Sequence, residues 1–272
     1  MAHEVTDALQ AVERVLLPAL DGNPRRPFLL GLCGAQGSGK STLAAALHAH
    51  LVNAGVGCAI LSLDDLYKTK SARAAMARSI HPLFATRGVP GTHELALAFD
   101  LLGGLERHEA AALPRFDKSA DDRFPEAEWD IASEETRILI LEGWCVGARP
   151  QAQQALVEPV NSLEREDDPD GTWRRHVNAA LAGDYQRLFA RIDLLILLAA
   201  PEFEVVRGWR AEQEAGLRAG GRGGMNDASI ARFVEHYERL TRHILAEMPA
   251  YADLTIRLDS ARRLVSFSAK SG

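Results

Sequence analysis

Five short apolar runs punctuate the chain: Phe28–Cys33, Cys58–Leu63, Ile138–Leu141, Leu194–Ala199 and Leu254–Leu258. Each is almost continuously hydrophobic, and stretches with helical patterning separate them. Strands that read this way are covered on both faces, so the pattern predicts a five-stranded parallel sheet between helices, an α/β doubly wound fold. Ahead of the first run, Val5–Leu20 reads as an amphipathic helix closed by Asp21-Gly22-Asn23-Pro24. Behind it, Thr42–Ala54 is an alanine-rich helix ending at Gly55. Near the C-terminus, Ile230, Phe233, Val234, Tyr237, Leu240, Ile244 and Leu245 recur on one face of a long helix, with Asp227 as a fitting N-cap.

Two regions interrupt this rhythm. Residues 66–130 are rich in Pro, Arg, Asp and His, too polar to be only a crossover helix. Residues 201–225 form a charged helical stretch that runs into the glycine-rich Gly216–Gly224. Insertions beside the carboxyl ends of parallel strands are where α/β proteins hold substrates and lids. The expectation is one domain over 1–272, with a substrate-binding insertion at about 66–130 and a lid at about 201–225.

Composition narrows the classes. Of 272 residues, 47% are hydrophobic and 25% charged, ordinary values for a globular chain that can bury a substantial core. The formal net charge is -6, and no basic footprint for nucleic acid is present. Cys33, Cys58 and Cys145 are far apart with no C-x-x-C spacing, which argues against a disulfide framework and fits a reducing cytosol. Residues 1–27 carry acids and prolines without an apolar core, so no signal peptide is expected. Leu194–Ala200, the longest apolar run, is too short to span a bilayer. The expectation is a cytoplasmic protein without membrane or nucleic-acid partners.

Chemistry concentrates after the first strand. Gly34-Ala35-Gln36-Gly37-Ser38-Gly39-Lys40-Ser41-Thr42 matches G-x-x-x-x-G-K-[ST] at every fixed position, with a strand entering and a helix leaving. Glycines let the backbone wrap closely, so successive N–H groups and the helix N-terminus face phosphates. Lys40 is expected to reach the β- and γ-phosphates of ATP, and the Ser41 hydroxyl to hold Mg²⁺. Glu142, ending the third apolar run, is a second metal-side acid, although a strand-end acid can also be merely solvated. Asp64 and Asp65 end the second run. A carboxylate there can accept the proton of an acceptor alcohol, while paired acids are also common turn residues.

The polar insertion offers Arg87, His93, Arg115 and Lys118 as ligands for a small hydroxy acid, against capped turns, surface ion pairs and a structural histidine. Arg207, Arg210, Arg218 and Arg222 suggest a glycine-hinged lid that neutralises charge on the transferring group, with Arg210 first. A solvated helix with Arg210 paired to Glu214 is the competing reading. Trp144 and Trp209 read as packing residues.

Taken in order, these segments resemble the phosphoribulokinase/uridine kinase group of P-loop kinases, and within it the plant-type D-glycerate 3-kinases and their fungal and bacterial relatives. The resemblance runs from about Phe28 to Arg263 and rests on GAQGSGKST at 34–42, LSLDDLY at 61–67, RGVPGTHE at 87–94, PRFDKS at 114–119, LEGWCVGARP at 141–150, WRAEQE at 209–214 and HYERLTRHIL at 236–245. It implies transfer from ATP to the 3-hydroxyl of D-glycerate, with Asp64 as the base, Glu142 as the second acid and lid arginines near Arg207 and Arg210. Glu94 departs from the family's Asp. The alternatives are a kinase of a nucleoside, pantothenate or sugar phosphate, and a non-catalytic nucleotide-binding regulator. A GTPase switch lacks its N-K-x-D segment here, and an ABC-type motor its L-S-G-G-Q.

Overall fold

In a computed structural model of the chain, which describes residues 2–23, 27–219 and 227–270, all five apolar runs are strands of one sheet. They are β1 (Phe28–Gly34), β2 (Cys58–Ser62), β3 (Ile138–Gly143), β4 (Leu194–Ala199) and β5 (Leu254–Leu258). The spatial order is β5-β4-β1-β3-β2, parallel throughout. A sixth strand, β6 (Leu264–Ala269), pairs antiparallel with β5 and closes that edge. The five-stranded expectation therefore gains an edge strand. Most of β6 is exposed, so it lacks the continuous apolar run that marks a doubly covered strand.

Alternate residues along each strand enter two cores, as the period of two requires. Leu30, Leu32, Ile140 and Ile196 pack with Val12 and Leu16 of α1 (Ala2–Gly22) and Leu43 and Leu47 of α2 (Lys40–Asn53). Leu29, Leu139, Leu141 and Leu197 face the opposite layer. Burying one such side chain stabilises the fold by about 1.5–3 kcal/mol.

The polar insertion is more mixed than its composition suggests. It holds α3 (Lys70–Ser79), then α4 (Ala96–Glu106), which buries Ala98, Leu101, Leu102 and Leu105 in the second core. A genuine crossover helix is thus contained within it. Two small antiparallel pairs follow, Ala111–Leu113 with Asp130–Ala132 and Phe116–Asp117 with Asp122–Arg123.

Late in the chain, α5 (Glu204–Ala219) and α6 (Asp227–Glu247) cover the carboxyl end of the sheet's first strand. The expected face of α6 is realised, with Ile230, Val234, Tyr237, Leu240 and Ile244 all buried. Arg222 and most of the Gly216–Gly224 stretch lie outside the described residues, as does the side chain of Arg218. Among the described residues no helix is long and apolar enough to cross a membrane. All three cysteines are free thiols, Cys33 and Cys145 buried and Cys58 half-buried. The chain runs from β1 outward to β2, returns to β3 between them, and then passes to β4 on the far side of β1. The crevice at the carboxyl ends of β1 and β3 is therefore a switch point, the place where such sheets bind ligands.

Candidate active site

The phosphate loop connects β1 to α2. Gly39 precedes α2 at φ 89°, and no side chain caps that helix start. The first turn of α2 carries no acid, so its orphan N–H groups and dipole are left to face an anion. Gly37 takes φ 78°, and a Cβ there would lie 2.7 Å from Cβ of Trp209. Two polar atoms of the loop, Gln36 Oε1 and Ser38 Oγ, are buried without a hydrogen-bond partner. Among the described residues no hydrogen bond or ion pair occupies the Lys40 amine.

Glu142 sits between β1 and β2 on the middle strand, opposite Leu32 on one side and Ser62 on the other. Its Oε1 accepts from Ser41 Oγ at 3.0 Å and from Ser62 Oγ at 2.9 Å. Its Oε2 is buried and unpartnered, although the residue is only 5% exposed. A buried carboxylate oxygen without a donor is costly, and a cation beside the Ser41 hydroxyl would satisfy it. The residues present therefore fit a magnesium ion. No cluster of three His, Cys, Asp or Glu side chains that could hold a metal ion exists among the described residues.

The two acids after β2 diverge in the single turn Leu63–Leu66. Asp64 accepts from Tyr67 Oη at 2.6 Å and from Lys118 Nζ at 2.8 Å. Burial pushes its pKa up, but the Lys118 and Lys40 charges and the hydrogen bonds from Lys118 and Tyr67 outweigh it, leaving the carboxyl well below the usual range. Lys40 acting on Asp64 ties this acid to the phosphate loop. Asp65 instead accepts from the Phe116 N–H at 3.1 Å and from Arg115 Nη1 at 3.2 Å, and burial raises its pKa. Asp65 is thus a brace for the insertion, whereas Asp64 is engaged by Lys118 and Tyr67 and felt electrostatically by Lys40.

The structure distributes the remaining expected ligands unevenly. Lys118 is more than half exposed and directly on Asp64. Arg87 pairs with Asp121, and its guanidinium lies over the rings of Phe116 at 5.4 Å and Tyr67 at 6.0 Å. Arg115 is shared between Asp65 and Asp130, with Nη2 2.7 Å from Asp130. Arg210 pairs with Glu214 and lies 4.9 Å over Phe233, the helix-surface arrangement that competed with a lid role. Trp144 and Trp209 are buried packing residues, as read from the sequence.

His93 is stacked on Tyr67, ring centroids 4.7 Å apart, and is 3% exposed. Its Nδ1 shares a 2.5 Å hydrogen bond with Tyr185 Oη, which also accepts the Gly91 N–H at 3.0 Å. Burial lowers the His93 pKa to about 3, so the ring is neutral at physiological pH. Nε2 is buried without a partner.

Tyr67, Ser62 and Tyr185 were not singled out in the sequence. Ser62 and Tyr67 both lie within LSLDDLY, but Ser62 acts through the distant Glu142 and Tyr185 through the distant His93.

No protein-family model matches the chain. Over 244 residues it is 36% identical to an uncharacterized kinase of Schizosaccharomyces pombe, covering 85% of this chain and 86% of that protein. It is 26% identical over 260 residues to the chloroplastic D-glycerate 3-kinase of Arabidopsis thaliana, covering 89% of this chain but 55% of the plant protein. Among solved structures, the D-glycerate 3-kinase of Cryptococcus neoformans superimposes with a TM-score of 0.81 over 98% of this chain and 99% of that one. At 24% identity that likeness speaks for the fold.

Proposed function

We propose a reaction from one premise: the chain belongs to the plant-type glycerate kinase family within the P-loop kinases. It is a phosphotransferase, and the acceptor that best suits its site is D-glycerate, phosphorylated by ATP on the 3-hydroxyl to give 3-phosphoglycerate. The observation that carries this reading is Asp64, an ionised carboxylate that answers to Lys40 on the phosphate side and holds Lys118 on the acceptor side.

The loop Gly34–Thr42 would cradle the phosphates, with Lys40 following the γ-phosphoryl group through a loose transition state. Ser41 and Glu142 would hold a magnesium ion, which when bound would supply charge neutralisation for the phosphates. Lys118 is free to exchange one carboxylate for another: when a hydroxy acid enters, its carboxylate takes the ammonium and its hydroxyl takes the Asp64 oxygen. Asp64 is a weak base while Lys118 holds it, and becomes more basic as that contact is given up. It would orient the hydroxyl and receive its proton late, as the oxygen bonds to phosphorus. Arg87 and His93 would add a charged and a neutral polar group for the acceptor, and Arg210 would serve only after leaving Glu214.

The test is ADP release with Mg²⁺ and separate acceptors: D-glycerate, L-glycerate, uridine, pantothenate and ribulose 5-phosphate. Turnover that depends on D-glycerate is expected. Turnover on uridine or pantothenate in its place would move the acceptor away from small hydroxy acids.

A further inference from the structure

The turn between β5 and β6 is more ordered than a chain reversal needs. Asp259 organises it: Oδ1 accepts the N–H groups of Ala261 and Arg263 at 2.9 Å each, and Oδ2 accepts from Arg263 Nε at 2.8 Å. At its tip Arg262 has φ 65°, a left-handed conformation that few residues other than Gly, Asn and Asp adopt. Non-glycine residues are held in that region only where their surroundings over-determine it, and such positions cluster at functional sites.

The turn delivers one guanidinium to three neighbours. Arg262 Nε donates to the carbonyl of Gly37 at 2.6 Å, Nη2 lies 2.7 Å from Glu212 on α5, and the group sits 5.2 Å from the Trp209 ring centroid. Trp209 is itself fixed, donating its indole N–H to the Ser260 carbonyl at 2.7 Å. Its Cβ fills the space where a side chain at Gly37 would stand. The middle of the phosphate loop is therefore gripped by the β5–β6 turn and by the helix that carries Arg207 and Arg210.

We infer that Arg262 is a positioning residue for phosphate binding, acting through the Gly37 carbonyl. The inference rests on the reading of Gly34–Thr42 as the nucleotide loop. In a trans peptide the carbonyl and the following N–H point in opposite directions. Holding the Gly37 oxygen on the guanidinium therefore fixes the direction of the Ser38 N–H, which here donates to the Ala35 carbonyl at 3.1 Å. In loops of this kind phosphate oxygens are held by backbone N–H groups, so the direction of each one matters. A guanidinium suits the position because one planar fork serves a carbonyl, a carboxylate and an aromatic face together, which an ammonium cannot. Through Glu212 and Trp209 the same group ties the loop's conformation to α5.

The experiment is equilibrium binding of Mg²⁺-ADP and of inorganic pyrophosphate to the wild type, Arg262→Ala, Arg262→Lys and Lys40→Ala, with KM values and thermal midpoints alongside. Losing one charge-assisted hydrogen bond to the loop, Arg262→Ala is expected to weaken ADP and pyrophosphate by the same factor, about tenfold. The KM for ATP should rise in step, the KM for the acceptor should stay put, and Arg262→Lys should recover part of the loss. Unchanged affinities in Arg262→Ala, with Lys40→Ala impaired, would overturn the inference alone. So would weakened ADP with undisturbed pyrophosphate, which would make Arg262 a contact to the nucleoside. A lowered thermal midpoint with equal losses for ATP and acceptor would reduce Arg262 to a stability role. Wild-type ADP affinity in Lys40→Ala would bring down the loop reading and this inference with it.

Discussion

Around the phosphate loop, polar atoms are buried without protein partners; around Asp64, nearly every charge is already engaged. Gln36 Oε1, Ser38 Oγ and Glu142 Oε2 have no partner, and the Lys40 amine is unclaimed among the described residues. Across the crevice, Asp64 is held by Lys118 and Tyr67, Arg87 by Asp121, and Arg115 by Asp65 and Asp130. The loop side is a set of buried polar atoms fixed by the backbone without partners of their own. The acceptor side is a closed ion-pair network that a ligand must enter by exchange. On the proposed reading, binding energy spent there on displacing an internal carboxylate would select for acceptors that carry one of their own.

Substitutions on the two sides should differ accordingly, in size and in kind. Lys40→Ala should have the largest effect, lowering turnover by roughly a thousandfold or more, since it removes a preorganised charge from the transferring group. Steady-state ADP release would measure it, and a loss under tenfold would break the distinction at its strongest point. Asp64→Asn should cost about a hundredfold to ten-thousandfold in kcat while the KM for ATP stays within about twofold. Near-normal turnover in that variant would leave Asp64 as a structural acid.

Lys118→Ala should act on the acceptor alone, raising its KM by about tenfold to a hundredfold. It should also move the pH profile. Lys118 helps hold the Asp64 pKa below the ordinary carboxylate range, so its removal raises that pKa. The ionised form is then lost at a higher pH as acidity increases, and the acid limb of kcat/KM shifts upward. An unmoved acid limb would sever Lys118 from Asp64 in function. The smallest effect is expected from Arg115→Gln: under about threefold in any kinetic constant, with about 1 kcal/mol or less in stability, because the pairs it makes are partly exposed. A large rise in acceptor KM there would return Arg115 to the ligand set that its sequence context suggested.

The same contrast explains what the sequence disclosed. The phosphate loop is one contiguous segment, and its chemistry follows from local backbone geometry, so GAQGSGKST could be read directly. The five buried strands were equally plain, because a doubly covered strand must be continuously apolar. The acceptor network is assembled from residues far apart: Lys118 meets Asp64 across 54 positions, and Arg262 meets Gly37 across 225. Composition revealed that residues 66–130 were polar and rich in Pro, Arg, Asp and His, but not that Asp65 would claim Arg115 or that α4 would be buried among them. Glu142 was legible as an acid at a strand end, while its bond to Ser62 needed the sheet register. β6 stayed hidden for the opposite reason, since Leu264–Ala269 is too exposed to carry a core pattern.

The most direct measurement is the identity of the product formed from ATP and D-glycerate with Mg²⁺, followed by phosphorus NMR. Phosphate appearing on the 3-hydroxyl, at a rate that collapses in Asp64→Asn, is the expected result. Phosphate on the 2-hydroxyl, or ADP formed at the same rate with glycerate absent, would contradict it.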